Sequence, residues 1–353
     1  MKKRFIIVLS LLLTVVALTI WGFVSFKQEI PNGFNRNFRN DMLILTGEVN
    51  STEALIAVNT ITKYTTYFTP QTPQKIALLK TGEKDLRYEM LPVPYDQWIN
   101  YNYSMQVDSP FTILFAGNLP AVFTKESGVT EGTIKLEMKS KHFNAALQYQ
   151  PNRYFIRVYS AAERDYIIAK ANGSGQVEGF ENKASYMTHD NGMSSQAHMI
   201  YSHEHHKLIL VQKMSNQIRC LDTNLNLLYA AKSIDTFSLA NIKEVIKEEK
   251  NSKVGTQSAP PRYTNYAVAI SGDKLYCYSK LASDNQPDRL ATIDVYFIGN
   301  GNYEYSFTLP NTEKKGLVDF KIFENRLVAL VGNGKKILTY EIKEQGLTTI
   351  KNL

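Results

Sequence analysis

The sequence predicts an all-β fold, a β-propeller of six or seven blades behind an N-terminal transmembrane helix. Three features carry this. Short strand-like runs recur along the chain with little else between them. A unit of about 50 residues repeats in the second half. Only one stretch shows helical periodicity.

The N-terminus opens with the basic Met1-Lys2-Lys3-Arg4, followed by an apolar run from Phe5 to Phe26 broken only by small or hydroxylated residues. Those 22 residues, as a helix, would span about 33 Å, enough for a hydrocarbon core of about 30 Å. Basic residues stay cytoplasmic, so the bulk of the chain is expected on the far side. A cleaved signal peptide would have a shorter apolar core and a small-x-small site. Here the run closes on Ile20-Trp21-Gly22-Phe23-Val24, and the first cysteine is Cys220, too late for a lipid anchor. The reading is therefore an uncleaved signal anchor over residues 1–27, single-pass in the cytoplasmic (inner) membrane. A polar, aromatic stalk or lead-in follows at 28–41, and a β-domain at 42–353.

The formal net charge is +7, but Lys2, Lys3, Arg4 and Lys27 supply four of those charges. The rest is mildly basic and scattered, which is no nucleic-acid footprint. Two cysteines cannot staple a scaffold of this size. Cys220 and Cys277 both sit in apolar-alternating runs and read as packed free thiols, able to pair only if their strands lie side by side. The 38 tyrosines and phenylalanines favour sheets over helix bundles.

Strand-like runs fall at Leu43–Thr46, Leu55–Val58, Thr65–Thr69, Lys75–Leu79, Leu86–Leu91, Phe111–Phe115, Ala121–Thr124 and Thr133–Met138. They continue at Arg153–Tyr159, Tyr166–Ala169, Ala197–Tyr201, Lys207–Val211, Gln217–Leu221 and Leu227–Ala231. The last are Asn265–Ile270, Lys274–Ser279, Thr292–Ile298, Tyr303–Leu309, Leu317–Phe323, Arg326–Val331, Lys336–Ile342 and Leu347–Ile350. Gly, Asn, Asp and Pro signals separate them. The exception follows Ser238, a candidate N-cap: Leu239, Ile242, Val245 and Ile246 form a stripe at 3.6-residue spacing and predict a short helix. A flexible tail (251–262) ends it at Pro260-Pro261, making 236–262 an insertion between β-units.

Three stretches repeat one unit. Lys207-Leu208, Lys274-Leu275 and Arg326-Leu327 each open a strand after a polar turn, and a second and third strand follow. The leucines lie 67 and 52 residues apart, and the insertion accounts for the longer interval. Propeller blades run about 40–50 residues, so about 310 residues make six blades, or seven if the first are compact. A pair of β-sandwiches is the main alternative. One helix cannot cover both faces of a parallel sheet, which counts against an α/β fold.

The run Leu221-Asp222-Thr223-Asn224-Leu225-Asn226-Leu227-Leu228-Tyr229, with Ile234-Asp235-Thr236 and Ser258-Ala259-Pro260-Pro261, resembles a group of uncharacterised membrane-anchored bacterial β-propeller-like proteins. Val107-Asp108-Ser109-Pro110-Phe111, Ile293-Asp294-Val295-Tyr296, Val318-Asp319-Phe320 and Asn32-Gly33-Phe34-Asn35-Arg36 add to the likeness. It implies the fold and the location and transfers no active site. Some such proteins look distantly like propeller subunits of periplasmic quinoprotein dehydrogenases, an analogy of fold alone.

Candidate chemistry is sparse. His189, His198, His203, His205 and His206 cluster in sequence, and His203 and His205 with Asp190 are the residues that could hold zinc. Their spacing matches no zinc motif, and plain turns occupy the sibling positions, so neither metal nor cofactor is predicted. Gly173-Ser174-Gly175 and Gly299-Asn300-Gly301 read as hairpin turns. Asp108, Asp222, Asp294 and Asp319 recur at repeat-like positions, where a propeller glycosidase would place paired acids in its tunnel. The expected role is a protein-interaction or accessory module of an envelope or redox membrane complex. Its contacts would be Phe237, Leu239 and Arg262 in the insertion. The alternative is a propeller enzyme, carbohydrate-active or a dehydrogenase subunit. Acidic or histidine side chains converging in a deep tunnel would separate the two.

Overall fold

In a computed structural model the chain forms an all-β propeller of six four-stranded blades. The structure describes Thr14 and residues 32–343 except 40, 73, 92–102, 109–110, 118, 127–133, 138–141, 182–186, 241, 243, 250–251, 259, 287–289 and 313–315. The N-terminal helix expected over 1–27 therefore lies outside the described residues apart from Thr14, as does the run Leu347–Ile350. Among the described residues no helix is long and apolar enough to cross a membrane.

The first strand, β1 (Leu43–Asn50), belongs to the last blade. Blade 1 is β2 (Leu55–Ile61), β3 (Thr65–Pro70), β4 (Lys75–Lys80) and β5 (Arg87–Met90). Blade 2 is β6 (Tyr103–Asp108), β7 (Phe111–Ala116), β8 (Ala121–Glu126) and β9 (Ile134–Glu137). Blade 3 is β10 (Phe143–Gln150), β11 (Arg153–Ser160), β12 (Asp165–Asn172) and β13 (Val177–Phe180). Blade 4 is β14 (Ala197–Ser202), β15 (Lys207–Gln212), β16 (Gln217–Leu221) and β17 (Leu227–Lys232). A two-stranded hairpin, β18 (Glu244–Glu249) and β19 (Ser252–Gln257), precedes blade 5. Blade 5 is β20 (Asn265–Ser271), β21 (Lys274–Ser279), β22 (Thr292–Phe297) and β23 (Tyr303–Thr308). Blade 6 is β24 (Leu317–Phe323), β25 (Arg326–Val331) and β26 (Lys336–Ile342), with β1 as its outermost strand.

The ring is closed by backbone. Strand β1 runs antiparallel to β26, from Leu43 opposite Ile342 to Asn50 opposite Lys336. The chain then steps into blade 1, where the Leu55 N–H donates to the Gly334 carbonyl at 2.9 Å. Around the axis each innermost strand touches the next, and β24 touches β2. All six innermost strands run the same way, so the propeller has an upper face, where they begin, and a lower face.

Apolar side chains form six separate clusters, one between each pair of neighbouring blades. Phe68, Leu330 and Ile337 fill the seam between blades 6 and 1, and Phe155, Leu208 and Leu221 that between blades 3 and 4. Tyr278, Phe320 and Tyr340 fill the seam between blades 5 and 6, all fully buried. Each side chain of this size contributes about 1.5–3 kcal/mol by leaving water. The repeated leucines Leu208, Leu275 and Leu327 all open the second strand of a blade and are buried in these seams.

One sequence expectation is corrected here. The stretch after Ser238 is a β-hairpin, not a helix with a flexible tail. Six residues of β18 pair with six of β19, from Glu244 opposite Gln257 to Glu249 opposite Ser252. A lone helix of about a dozen residues is marginal in water. β-Branched Val245, Ile246, Val254 and Thr256 suit a ladder better.

The segment read as a stalk lies along blade 5 from residue 32 onward. Asn32 and Gly33 donate backbone N–H groups to the Asp284 carboxylate at 2.7 and 3.1 Å. The buried Arg36 forks onto Asp294, Nε to Oδ1 at 2.7 Å and Nη2 to Oδ2 at 3.0 Å. Burial works against the Arg36 charge, but the charge and hydrogen bonds of Asp294 more than offset it and raise its pKa. Phe38 bridges to Ser306, and the Arg39 guanidinium lies 3.9 Å from the Tyr305 ring centroid.

Candidate functional site in the central channel

The innermost strands cannot meet at the axis, and they leave a channel of about 860 Å³. Residues of all six blades line it, and its walls are as polar as they are apolar. Asn59 comes from β2, Ser104 and Gln106 from β6, and Gln148 from β10. Gln106 is spent on structure: its amide spans to blade 3, donating to the Gln148 carbonyl at 2.9 Å and accepting the Gln148 N–H at 2.8 Å.

Charge gathers towards the upper mouth. There the channel is lined by His198 near the start of β14, Lys213 just after β15, Tyr263 and Tyr266 at the start of β20, and Asp319 on β24. The Asp319 carboxylate accepts the Val58 N–H at 2.9 Å across the ring closure. Burial raises its pKa, although Lys321, backbone N–H groups and Lys213 oppose that. Lys321 is satisfied by the Val268 carbonyl at 2.9 Å. Burial holds His198 well below its ordinary value, helped by the Lys213 charge, so it is a neutral imidazole, with Nε2 3.2 Å from the Asn265 carbonyl.

Lys213 is different. Its pKa is pushed down, first by burial and then by the nearby Arg157, with Asp319 pulling the other way. Among the described residues its ammonium forms no hydrogen bond or ion pair. Tyr263 and Tyr266 stand edge to face beside it, with centroids 5.7 Å apart, and the Lys280 ammonium sits 3.2 Å from the Tyr266 centroid. The mouth thus offers aromatic walls, more positive than negative charge, and one bare ammonium.

The residues singled out from the sequence fall in several places. His203 and His205 lie in the turn after β14 on the lower face, where His203 packs edge-on against Tyr201 at 4.9 Å. The His205 N–H reaches Ser202 Oγ at 3.3 Å. Asp190 belongs to an upper-face loop and accepts from Thr188 and Ser194. The structure does not bring these three together, and no group of three metal-ligating residues occurs among the described residues. The four recurring acids also part ways. Asp108 is exposed, Asp222 caps its turn through Asn224 and Asn226, Asp294 pairs with Arg36, and Asp319 alone lines the channel. Phe237 and Arg262 do meet, guanidinium to ring centroid 4.6 Å, while Leu239 stands 69% exposed nearby in the chain. Both cysteines are free and buried in the seam between blades 4 and 5.

Lys213, Tyr263 and Tyr266 escaped sequence reasoning, since a lysine after a strand, a tyrosine before one and a tyrosine within it are ordinary signals. Only the ring places them on the axis.

No family model and no curated protein matches the chain. Its fold is similar to solved structures at low identity. A DUF4221-family protein from Bacteroides vulgatus aligns with a TM-score of 0.56 at 11% identity over 85% of this chain and 97% of that one. A streptogramin B lyase aligns at 0.51 and 11%, covering 85% and 98%. The WD40 propeller domain of Doa1 aligns at 0.50 and 10%, covering 86% and 98%. At such identities the likeness establishes the architecture: this chain is a six-bladed β-propeller.

Proposed function

We propose that the chain is a membrane-tethered, extracytoplasmic propeller that serves as a protein-interaction or accessory module of an envelope membrane complex. The observation behind this reading is where the N-terminal segment joins the propeller. The apolar run ends at Phe26, and Asn32 is already fixed on the upper face by Asp284 and by the Ala282 carbonyl. Six Cα steps reach at most about 22 Å. A span ending at Phe26 would therefore hold the upper face against the bilayer.

The contact candidates share that face. Thr236 Oγ1 donates to the Asn32 carbonyl at 2.8 Å, which sets the loop carrying Phe237 and Leu239 beside the tether. Phe237 and Arg262 then offer an aromatic and a cation, residue types that anchor interfaces, to a neighbour in the same membrane. The test is site-specific photo-crosslinking in native membranes from positions 239 and 262, with position 324 on the lower face as control. The reading expects one integral membrane protein captured from the first two and lost in Arg262→Glu. Capture from position 324 alone would overturn it, as would protease protection placing residues 32–343 in the cytoplasm.

A second reading, an extracytoplasmic enzyme, has one observation in its favour: Asp319, His198 and Lys213 converge at the channel mouth.

A further inference from the structure

The unpaired ammonium of Lys213 is the feature of the channel that structure alone does not use. A half-buried lysine commonly ends on a carboxylate or a carbonyl. Its neighbour Lys321 does so on Val268, and Lys274 does so on Glu304 at 2.7 Å. Lys213 stands instead over free volume, with Arg157 behind it and Asp319 as the one facing acid among the described residues. Arg157 is itself committed, its Nη2 donating to Ser195 O and Oγ at 2.8 and 2.9 Å. The Lys213 ammonium thus stands between the aromatic walls of Tyr263 and Tyr266.

We propose that the upper mouth of the channel binds a small, hydroxylated cyclic carboxylate, its carboxylate on Lys213 and its ring against Tyr263 and Tyr266. A single bare ammonium matches one negative charge. Among the described residues the channel lining has no arginine and no helix N-terminus, and it includes Asp319, so a phosphate dianion is a poorer fit. Asp319 and Ser104 can take the ring hydroxyls, as polar groups placed in an otherwise enclosed pocket do. The volume of about 860 Å³ holds a monosaccharide acid or a hydroxylated aromatic acid with water to spare. This site is independent of the tether and of any partner at the rim.

The test is calorimetric titration of the full-length chain in detergent with two acids, D-glucuronate and 4-hydroxybenzoate. The neutral counterparts D-glucose and 4-hydroxybenzamide serve as controls. At least one acid should bind, its neutral counterpart should not, and the responding acid tells a sugar ligand from an aromatic one. Lys213→Met should weaken that binding by about tenfold or more, while Lys213→Arg retains it. Lys213→Met should leave the melting temperature unchanged or higher, because no intramolecular bond is lost. Equal binding of acid and neutral form to the wild type would overturn the proposal whether or not the variants fold. So would undiminished binding by Lys213→Met, or no binding of either acid.

Discussion

The Arg36–Asp294 pair predicts how firmly the N-terminal segment is held. Both residues are almost fully buried, at 3% and 2% exposure, and the guanidinium makes two charge-assisted bonds to the carboxylate and a third to the Leu281 carbonyl at 3.0 Å. Arg36→Met removes the cation and leaves Asp294 buried with Ser306 Oγ, at 2.6 Å, as its one remaining side-chain donor among the described residues. Stranding one member of a buried pair costs about 3–5 kcal/mol. Unfolding entropy of about 2.1 cal/mol/K per residue over a domain of about 300 residues makes that a fall in Tm of about 5–8 °C. Removing both charges in Arg36→Met/Asp294→Leu should recover most of it, since a packed apolar pair of similar volume does as well as a buried ion pair. Thermal and denaturant unfolding of the three variants measures this, and limited proteolysis follows residues 32–39 separately. A loss below about 1 kcal/mol in the single variant, or a double variant weaker than the single, would refute the reasoning.

Three other outcomes follow from the geometry. Gly334 holds φ +80°, and a Cβ there would lie 2.0 Å from the Leu55 carbonyl oxygen, so Gly334→Ala should cost about 2 kcal/mol or more by prising blade 1 from blade 6; chemical denaturation reads it, and a change within about 0.5 kcal/mol would contradict it. His198 and Asp319 should act oppositely on the pH profile. His198 has a folded pKa below the unfolded one, so its contribution is present above the ordinary value of 6.5 and is lost as pH falls from there through the lower folded value. Asp319 has a raised pKa, so its ionisation penalises the fold above the carboxylate range. Asp319→Asn should therefore stabilise at neutral pH, by about 1 kcal/mol, and the gain should vanish below the ordinary value of 3.8; melting curves across pH check both. Burial pushes the Cys220 thiol up to about 11 and holds the Cys277 thiol well above its ordinary value, so neither should react with a maleimide until the protein is unfolded, when both should.

Much of the fold was legible because strands carry their own signal. Of the strand-like runs within the described residues, every one coincides with an observed strand. The leucine repeat marked the second strands of blades 4, 5 and 6. The first three blades hid theirs, because β3, β7 and β11 open on Thr65, Phe111 and Arg153 with no leucine behind them. The pattern missed the outer strand β13, and it missed β6 and β10, innermost strands whose Ser104, Gln106 and Gln148 line the channel. Polar residues needed at the axis interrupt the very alternation that reveals a strand. The hairpin of β18 and β19 escaped because Val245 and Ile246 fit a helical stripe and a ladder equally well. The site was the least legible part, since its residues come from separate blades and meet only after closure.

The pairing of β1 with β26 also bears on how the molecule is made. Strand β1 has no partner until β26 has been made. The five complete blades can form in order during synthesis, whereas the sixth waits with an open edge at each end of the chain. Until then those edges are templates for pairing with other chains. A chain stopped short of Lys336 would lack β26 and leave β1 with no strand to join. Ring closure thus reports that the sixth blade has been made.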